Sequence, residues 1–335
     1  MAALDRTMGL VSVAAPRPLI VTHAGLFHAD DLFGVTVLLD VFRGHRPRLA
    51  RVRRDQLDGK MERWRRAGCE VLARVDIGDR DDAADGAYDH HQRGFSAARP
   101  NGLLYASFGL VWRVHGEAWV AQTFGAGVDA AAVAAIVDRI LVQSVDAGDT
   151  GATFFEVTPA GCCEPVLPAT VSVLASWLVP AERTAATYDA AFRRSIPWAR
   201  QLLRGAAVAA CEEALAAEAV ALADDGGPIL MLGRSTNWLR HARPHHQFVI
   251  FPGDGETPWY LQTVPDQRRP GHPRAPLPGS WGGLRGTALA EVTGVSGGLF
   301  CHAGCWIAGA SSREAAEQLA AIALSGRSGR LTRHR

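Results

Sequence analysis

The sequence of 335 residues has no long apolar run, few cysteines and almost no net charge, and each shortage argues against a class of protein. No segment has about 18 uninterrupted apolar residues, and charges and prolines interrupt the N-terminal stretch, so we expect neither a membrane span nor a signal peptide. Six cysteines are too sparse for a disulfide-stapled secreted fold, which favours a reducing cytoplasm. With a formal net charge of +1, a site for a polyanion would have to be local.

The length suits two domains, and 48% of the residues are apolar, enough for substantial cores. Short apolar strands are predicted at 18–24, near 48–53 and at 70–78, with helices after the first and between the other two. This alternation predicts an α/β fold with a doubly wound, mostly parallel sheet. We place that first domain at 18–165, a helical connector with breaks at Pro180 and Pro197 at 166–225, and a smaller α/β domain at 226–326.

Four side chains that can bind metal lie within nine positions where the first predicted strand turns into a helix, in the stretch THAGLFHADD: His23, His28, Asp30 and Asp31. Imidazoles and carboxylates are ligands for divalent ions, and a turn from strand to helix lets such side chains converge on one point. Taken alone, the cluster also fits a helix N-cap that carries chance histidines.

Three later stretches also carry histidines or aspartates that can bind metal. Asp76 follows the strand that ends in VDIG, His90 and His91 lie in YDHHQ, and Asp146 and Asp149 lie in SVDAGDTG at the end of an apolar helix. The carboxyl ends of strands in a doubly wound sheet line one crevice, so we expect the clusters to meet there. Each alone could instead form a turn or a structural pair, although an acid at a helix C-terminus opposes the helix dipole unless a cation neutralises it.

Together these clusters predict a centre for two divalent ions. The predicted ligands are three histidines and four aspartates: His23, His28, His90, Asp30, Asp76, Asp146 and Asp149. Asp76 would bridge the ions, and one of the last two aspartates would complete the set. Without cysteine, the set suits Mn²⁺ best, with Mg²⁺, Co²⁺ and Zn²⁺ as alternatives. We take Asp31, Asp76, His90 and His91 as catalytic candidates, with His91 placed to contact phosphate.

The order HxxxxHxDD, VDIG, DHHQ and VDxxDxG resembles the melanocyte-proliferating-gene family, which is related to the DHH phosphoesterases and includes 3′-to-5′ RNA exonucleases. Further stretches resemble the family in the same order, namely Arg53 followed by DQL, then ASFGLVW, WYLQTVP, LPGSWGGLRG and GLFCHAG with AGA. The resemblance covers about residues 18 to 325 and implies a DHH-like fold. Asp31 stands where the family commonly has glutamate, and Thr150 where it commonly has asparagine.

The resemblance also implies that the second domain binds substrate through the glycine-rich stretch VSGGLFCHAG. The substrate-binding candidates are spread over both domains: Arg53, His91, Ser107, Arg285, Gly297, Gly298 and His302. Gly297 and Gly298 would allow backbone amides to approach an anion, although a turn between core strands also explains them. The guanidinium of Arg285 matches phosphate oxygens, although it could equally be a solvated surface arginine. His245 and His246, in RPHHQ, receive no role.

The leading hypothesis is hydrolysis of a phosphodiester in RNA or a short oligonucleotide by a hydroxide that two metal ions activate, acting as a 3′-to-5′ exonuclease as the resemblance implies. A cyclic dinucleotide, a nanoRNA or pyrophosphate is the nearest alternative substrate. A non-enzymatic, metal-containing binding protein is a different class of alternative. A sugar or peptide hydrolase is less favoured, since the chain has no convincing G-x-S-x-G or H-E-x-x-H motif. We also allow for a homodimer and expect no membrane partner.

Overall fold

The computed structural model describes residues 17–152, 183–253, 255–269 and 271–328. The chain forms two compact units, Met1–Ala210 and Cys211–Arg335. The predicted three-part division at 18–165, 166–225 and 226–326 stays a prediction. Within the described ranges, no helix has the length and apolar character that crossing a membrane would need.

The first unit is built on a five-stranded sheet. Its strands are β1 (Leu19–His23), β2 (Arg48–Val52), β3 (Val71–Val75), β4 (Asp81–Asp82) and β5 (Ala87–Tyr88). They lie in the order β2-β1-β3-β5-β4, and each neighbouring pair is parallel except β4 and β5. This confirms the predicted α/β fold with a mostly parallel sheet.

Helices cover both faces of this sheet. They are α1 (Ala29–Val41), α2 (Leu57–Arg66), α3 (Ser107–Phe124), α4 (Ala130–Val137) and α5 (Gln143–Thr150), the last two joined by a π-helical turn at Asp138–Val142. On one face, Val21 packs with Leu57 and Trp64 of α2. On the other, α1 comes so close to β3 that a Cβ on Gly34 would lie 3.0 Å from Val75 Cγ1. The doubly wound arrangement places the carboxyl ends of β1, β3 and β5 along one edge.

One long helix, α6 (Ala185–Ala223), runs from the first unit into the second and contains Pro197. The predicted break at Pro197 is therefore wrong, whereas Pro180 lies outside the described residues. A proline inside a helix removes one backbone hydrogen bond. The complete burial of Phe192, Ala199 and Leu203 on the same helix outweighs that loss.

The second unit holds a separate, smaller sheet. Its strands are β6 (Ile229–Met231), β7 (Phe248–Pro252), β8 (Trp259–Thr263), β9 (Gly298–Cys301) and β10 (Ile307–Ala310), in the order β6-β7-β8-β10-β9. Only β6 and β7 are parallel. Helices α7 (Gly286–Thr293) and α8 (Arg313–Ser328) contribute Leu289 and Leu319 to a core with Phe248 and Leu261. The predicted smaller α/β domain is present.

Candidate metal centre

The first group of candidate ligands lies where β1 turns into α1. His23 is the last residue of β1, and Asp30 and Asp31 lie in the first turn of α1 with both side chains fully buried. Asp31 Oδ1 accepts a hydrogen bond from the backbone N–H of His28 at 2.8 Å, which fixes the start of the helix. His28 remains exposed beside them.

Asp76 follows β3 and connects this group to the next one. Its φ of 54° is unusual for a residue other than glycine, and its N–H donates to the carbonyl of Tyr88 at 2.9 Å, so the chain turns sharply at the strand end. Asp76 Oδ2 lies 3.1 Å from His23 Nε2, and Asp76 Oδ1 lies 3.0 Å from His91 Nδ1. The carboxylate therefore lies between two histidines from different strand ends.

The segment after β5 supplies the third group. Asp89 is fully buried, and its Oδ2 accepts the backbone N–H of Asp79 at 2.7 Å while its Oδ1 lies 2.8 Å from His91 Nδ1. His90 Nδ1 lies 3.1 Å from Ser107 Oγ, and His90 Nε2 lies 3.0 Å from Asp149 Oδ2. Ser107, a predicted substrate contact, thus orients a histidine.

Asp146 and Asp149 have separate environments although they lie three residues apart. Asp149 contacts His90 and belongs to a group with His28 and Asp30. Asp146 Oδ2 lies 2.7 Å from Arg99 Nη1, and its Oδ1 accepts the backbone N–H of Gly109 at 3.0 Å. Burial raises the pKa of Asp146 to about 7 even though Arg99 opposes the shift. Of the two aspartates, the structure brings Asp149 to the other candidates.

The candidate ligands form three overlapping groups. Within each group, the ligand atoms lie within 4.8 Å of one another. The groups are Asp76, Asp89, His90 and His91; His23, His28 and Asp76; and His28, Asp30 and Asp149. Asp76 and His28 each belong to two groups, so the three form one continuous cluster. Histidine and aspartate without cysteine are donors that Mn²⁺, Mg²⁺ and related divalent ions accept.

The electrostatics of this cluster favour a bound cation. Both carboxylate oxygens of Asp30 are buried and have no hydrogen-bond partner in the described part of the chain. Burial, together with the charges of Asp76, Asp149 and Asp31, raises the pKa of Asp30 well above its usual range. An orphaned carboxylate among other carboxylates is costly unless a positive charge lies between them. The residues present therefore fit a divalent metal.

Protonated histidines supply the compensating positive charge when metal is absent. Burial opposes protonation of His23, but the carboxylates of Asp31 and Asp76 outweigh it and raise the pKa of His23 to about 10. The same carboxylate of Asp76, with Asp89, raises the pKa of His91 to about 10. Burial would raise the pKa of Asp76, yet His23 and His91 hold it well below its usual range. Metal and protons must compete for these side chains.

Arg54 faces this cluster, and the sequence prediction chose its neighbour instead. Arg54 Nη2 lies 3.5 Å from Asp76 Oδ1, and its Nη1 lies 3.6 Å from Asp89 Oδ2. The predicted Arg53 points away and pairs with exposed Asp55 at 2.8 Å. Asp89 was also missed as a site residue. The only signal for Arg54 was its place in a basic stretch after β2.

The candidate substrate residues of the second unit lie at its β9–β10 edge. A Cβ on Gly297 would meet Ala315 Cβ at 2.6 Å, so this glycine is required for packing against α8. Gly298 begins β9. The guanidinium of Arg285 lies 5.6 Å from the ring centre of Phe300. His302 is exposed, and its Nδ1 accepts the N–H of Gly304 at 3.0 Å. Their roles in substrate binding stay predictions.

Sequence comparison places most of the chain in one family. The model of the MYG1 exonuclease family, described as uncharacterised protein family UPF0160, matches residues 19–324. This chain belongs to that family. The human MYG1 exonuclease is 29% identical over 96% of this chain and 92% of its own length, and the rat MYG1 exonuclease is 30% identical over 94% and 86%. The yeast MYG1 protein YER156C is 26% identical over 91% of this chain and 95% of its own.

Solved structures of the exonuclease RecJ are also similar in part. RecJ from Thermus thermophilus in complex with Mn²⁺ has 15% identity and a TM-score of 0.23, over 93% of this chain and 52% of the RecJ chain. Membership of the MYG1 family confirms the resemblance seen in the sequence and the prediction of a hydrolytic enzyme of the nuclease class. The cytoplasmic location and the homodimer stay predictions.

Proposed function

We propose that this protein is a divalent-metal-dependent phosphodiesterase that shortens RNA or short oligonucleotides from the 3′ end, with Mn²⁺ as its preferred ion. The observation that carries this proposal is that side chains from four separate segments form one continuous cluster of three overlapping ligand groups: His23, His28, Asp30, Asp76, Asp89, His90, His91 and Asp149. The human, mouse and rat relatives named exonucleases support the reaction class.

The residues that would hold two ions are those of the cluster apart from His91, and Asp76 could serve both ions because it belongs to two ligand groups. Divalent ions bound there would activate water and neutralise charge on the phosphoryl oxygens. Ser107 and Asp149 orient His90 through its two ring nitrogens, at 3.1 Å and 3.0 Å. The contact with Ser107 orients the imidazole and leaves Nε2, on the side of Asp149, as the nitrogen that could bind an ion.

Two cations of the chain are placed to meet the phosphate. His91 is about half exposed, and Arg54 is 44% exposed, while the acids they contact are buried. A guanidinium can hold two oxygens of a phosphodiester with parallel hydrogen bonds. We therefore assign Arg54, with His91, to orienting the scissile phosphate towards the buried acids, in place of the predicted Arg53.

A substrate panel tests the proposal. Purified full-length protein in Mn²⁺ should release mononucleotides from a short single-stranded RNA, and His90→Ala should lower the rate by at least 100-fold, whereas the surface variant Asp58→Ala should not change it. Hydrolysis of a cyclic dinucleotide or pyrophosphate without release from RNA would move the substrate to the small-molecule alternative. Equal rates for His90→Ala and the wild type would refute the assigned site.

A further inference from the structure

The second unit contains a basic cavity that is separate from the metal cluster. It has a volume of about 270 Å³ and lies beside Val220 of α6, between the loop after the 3₁₀ turn Trp238–Arg240 and the loop that precedes α7. Its polar lining comes from Arg240, His241, Arg243, Gln267 and Arg274, and no carboxylate lines it. Two of its apolar lining residues, Val220 and Ala242, pack in one core with Leu230 of β6 and Val249 of β7. Gly298 and His302 lie instead at the β9–β10 edge of the same sheet.

The loop that carries two of these cations is held by internal contacts. His246 is completely buried, and its Nδ1 accepts the backbone N–H of Arg243 at 3.0 Å. Because Nδ1 is the acceptor, Nε2 carries the proton and donates to Asp224 Oδ1 at 3.1 Å. His245 Nε2 lies 2.9 Å from the same oxygen. The two histidines of RPHHQ thus anchor the loop to the end of α6 and hold Arg243 at the cavity.

Arg274 is oriented by the same loop. Its Nη1 donates to the backbone carbonyls of Arg243 and His246, the second at 3.0 Å. These bonds use one nitrogen of the guanidinium and leave Nε and Nη2 as further donors. The side chain of Arg240 makes no ion pair or hydrogen bond with the residues that the structure describes. The cavity therefore contains one preoriented guanidinium and one without a partner.

Two acids pair with part of the lining, and two of its three arginines, Arg240 and Arg274, have no acidic partner among the described residues. Asp224 is held by both histidines, and its distance to Arg243 Nε is 3.8 Å. Glu213 Oε1 lies 3.9 Å from His241 Nε2, which is buried and makes no hydrogen bond among the described residues. Three arginines line the cavity and two acids pair with its lining, so the site keeps an excess of positive charge. Such an arrangement repels cations and favours an anion with several oxygens.

We infer that this cavity binds a phosphate group, as free phosphate, as the phosphate of a nucleotide or as part of an RNA backbone. Its volume lies just below the range of small-ligand pockets, which suits a phosphoryl group better than a complete dinucleotide. Guanidinium groups match phosphate oxygens through paired, charge-assisted hydrogen bonds. The inference stands independently of the proposed hydrolysis, because no residue of the metal cluster contributes to the cavity.

Calorimetric titration of the metal-stripped, full-length protein tests this inference. The probes are inorganic phosphate, AMP and a short oligouridylate, and the variants are Arg240→Gln and Arg243→Gln, with Arg313→Gln as a charge-matched control on exposed α8. We expect each cavity variant to raise the Kd of the bound probe about tenfold, while the control leaves it unchanged. Unchanged unfolding temperatures would show that the Arg240 variant is folded.

The three probes distinguish the sources of the phosphate. Binding of phosphate as tight as that of AMP would identify free phosphate as the ligand, and tighter binding of AMP would identify a free nucleotide. Binding of oligouridylate alone would identify an RNA backbone. The inference is overturned if no probe binds the wild type, if neither cavity variant changes the Kd, or if Mn²⁺ or Zn²⁺ binds there and is lost in Asp224→Asn. Asp76→Ala should retain phosphate binding, so loss of hydrolysis and loss of this site are separate results.

Discussion

Replacing Asp30 by asparagine should stabilise the metal-free protein and remove its stabilisation by metal. The carboxylate is fully buried without a hydrogen-bond partner among the described residues, and burial with the charges of Asp76, Asp149 and Asp31 raises its pKa. Asparagine has the same shape and no charge, and its amide can donate to the neighbouring carboxylates. The substitution therefore removes a repulsion that the wild type relieves by binding a proton or a metal ion.

The size of the effect follows from proton linkage. The folded protein keeps Asp30 protonated at a pH at which the unfolded chain, with a pKa near 3.9, has lost the proton. The contribution of protonated Asp30 to the free energy of unfolding is thus fully present below about pH 4. Above that pH it falls by about 1.4 kcal/mol per pH unit, until the raised pKa of Asp30 is reached. At pH 6 the variant should be more stable by up to about 3 kcal/mol, and the difference should vanish towards pH 4.

Thermal unfolding of chelator-treated protein at pH 4.5 and pH 6, with and without Mn²⁺, measures both effects. Mn²⁺ at about 100 times its Kd should stabilise the wild type by about 2.7 kcal/mol and leave Asp30→Asn unchanged, so the difference between the two proteins shrinks or reverses. Asp58→Asn, on the surface of α2, is the control. A metal-free variant less stable than the wild type at pH 6, or equal stabilisation of both by Mn²⁺, would refute the reasoning.

Three further outcomes are expected. Arg99→Leu should lower the free energy of unfolding by about 3–5 kcal/mol, because it leaves buried Asp146 without its cation. The double variant with Asp146→Asn should recover part of this loss. Denaturant titrations measure both changes. Arg54→Gln should lower kcat/KM on short RNA at least tenfold, while Arg53→Gln should change it less than twofold, as initial rates would show. Because the pKa of His23 is about 10, Mn²⁺ binding at pH 8 should release protons, and the affinity for Mn²⁺ should increase as the pH rises. Calorimetry in two buffers of different ionisation enthalpy would detect the released protons. Binding without proton release would contradict this charge state of His23.

The convergence of the cluster could be predicted because it follows from topology. His23 ends a strand of the mostly parallel sheet, and Asp76 and His90 follow two others; strand ends on one edge of such a sheet meet whatever the intervening sequence is. Strand and helix alternation is visible in the hydrophobic pattern, so the fold class and the place of the site were accessible. The same logic predicted the turn into α1 that carries Asp30.

The choice between neighbouring residues was not accessible, because it depends on contacts distant in sequence. Asp146 is held by Arg99, 47 positions earlier, and by the backbone of Gly109, where an added Cβ would lie 1.9 Å from the carboxylate. No periodicity reports such a contact. Likewise, a short 3₁₀ turn directly after Arg53 decides which of Arg53 and Arg54 faces the acids.

The claim that this cluster hydrolyses phosphodiesters with the help of divalent metal is tested most directly on one substrate. Metal-stripped protein is given a short RNA labelled at its 5′ end, with Mn²⁺, Mg²⁺ or Zn²⁺ restored separately and Asp76→Ala beside the wild type. We predict stepwise shortening from the 3′ end that requires the added ion, is fastest with Mn²⁺ and is lost in the variant. Undiminished shortening by Asp76→Ala, or an intact RNA with every ion, would contradict the account.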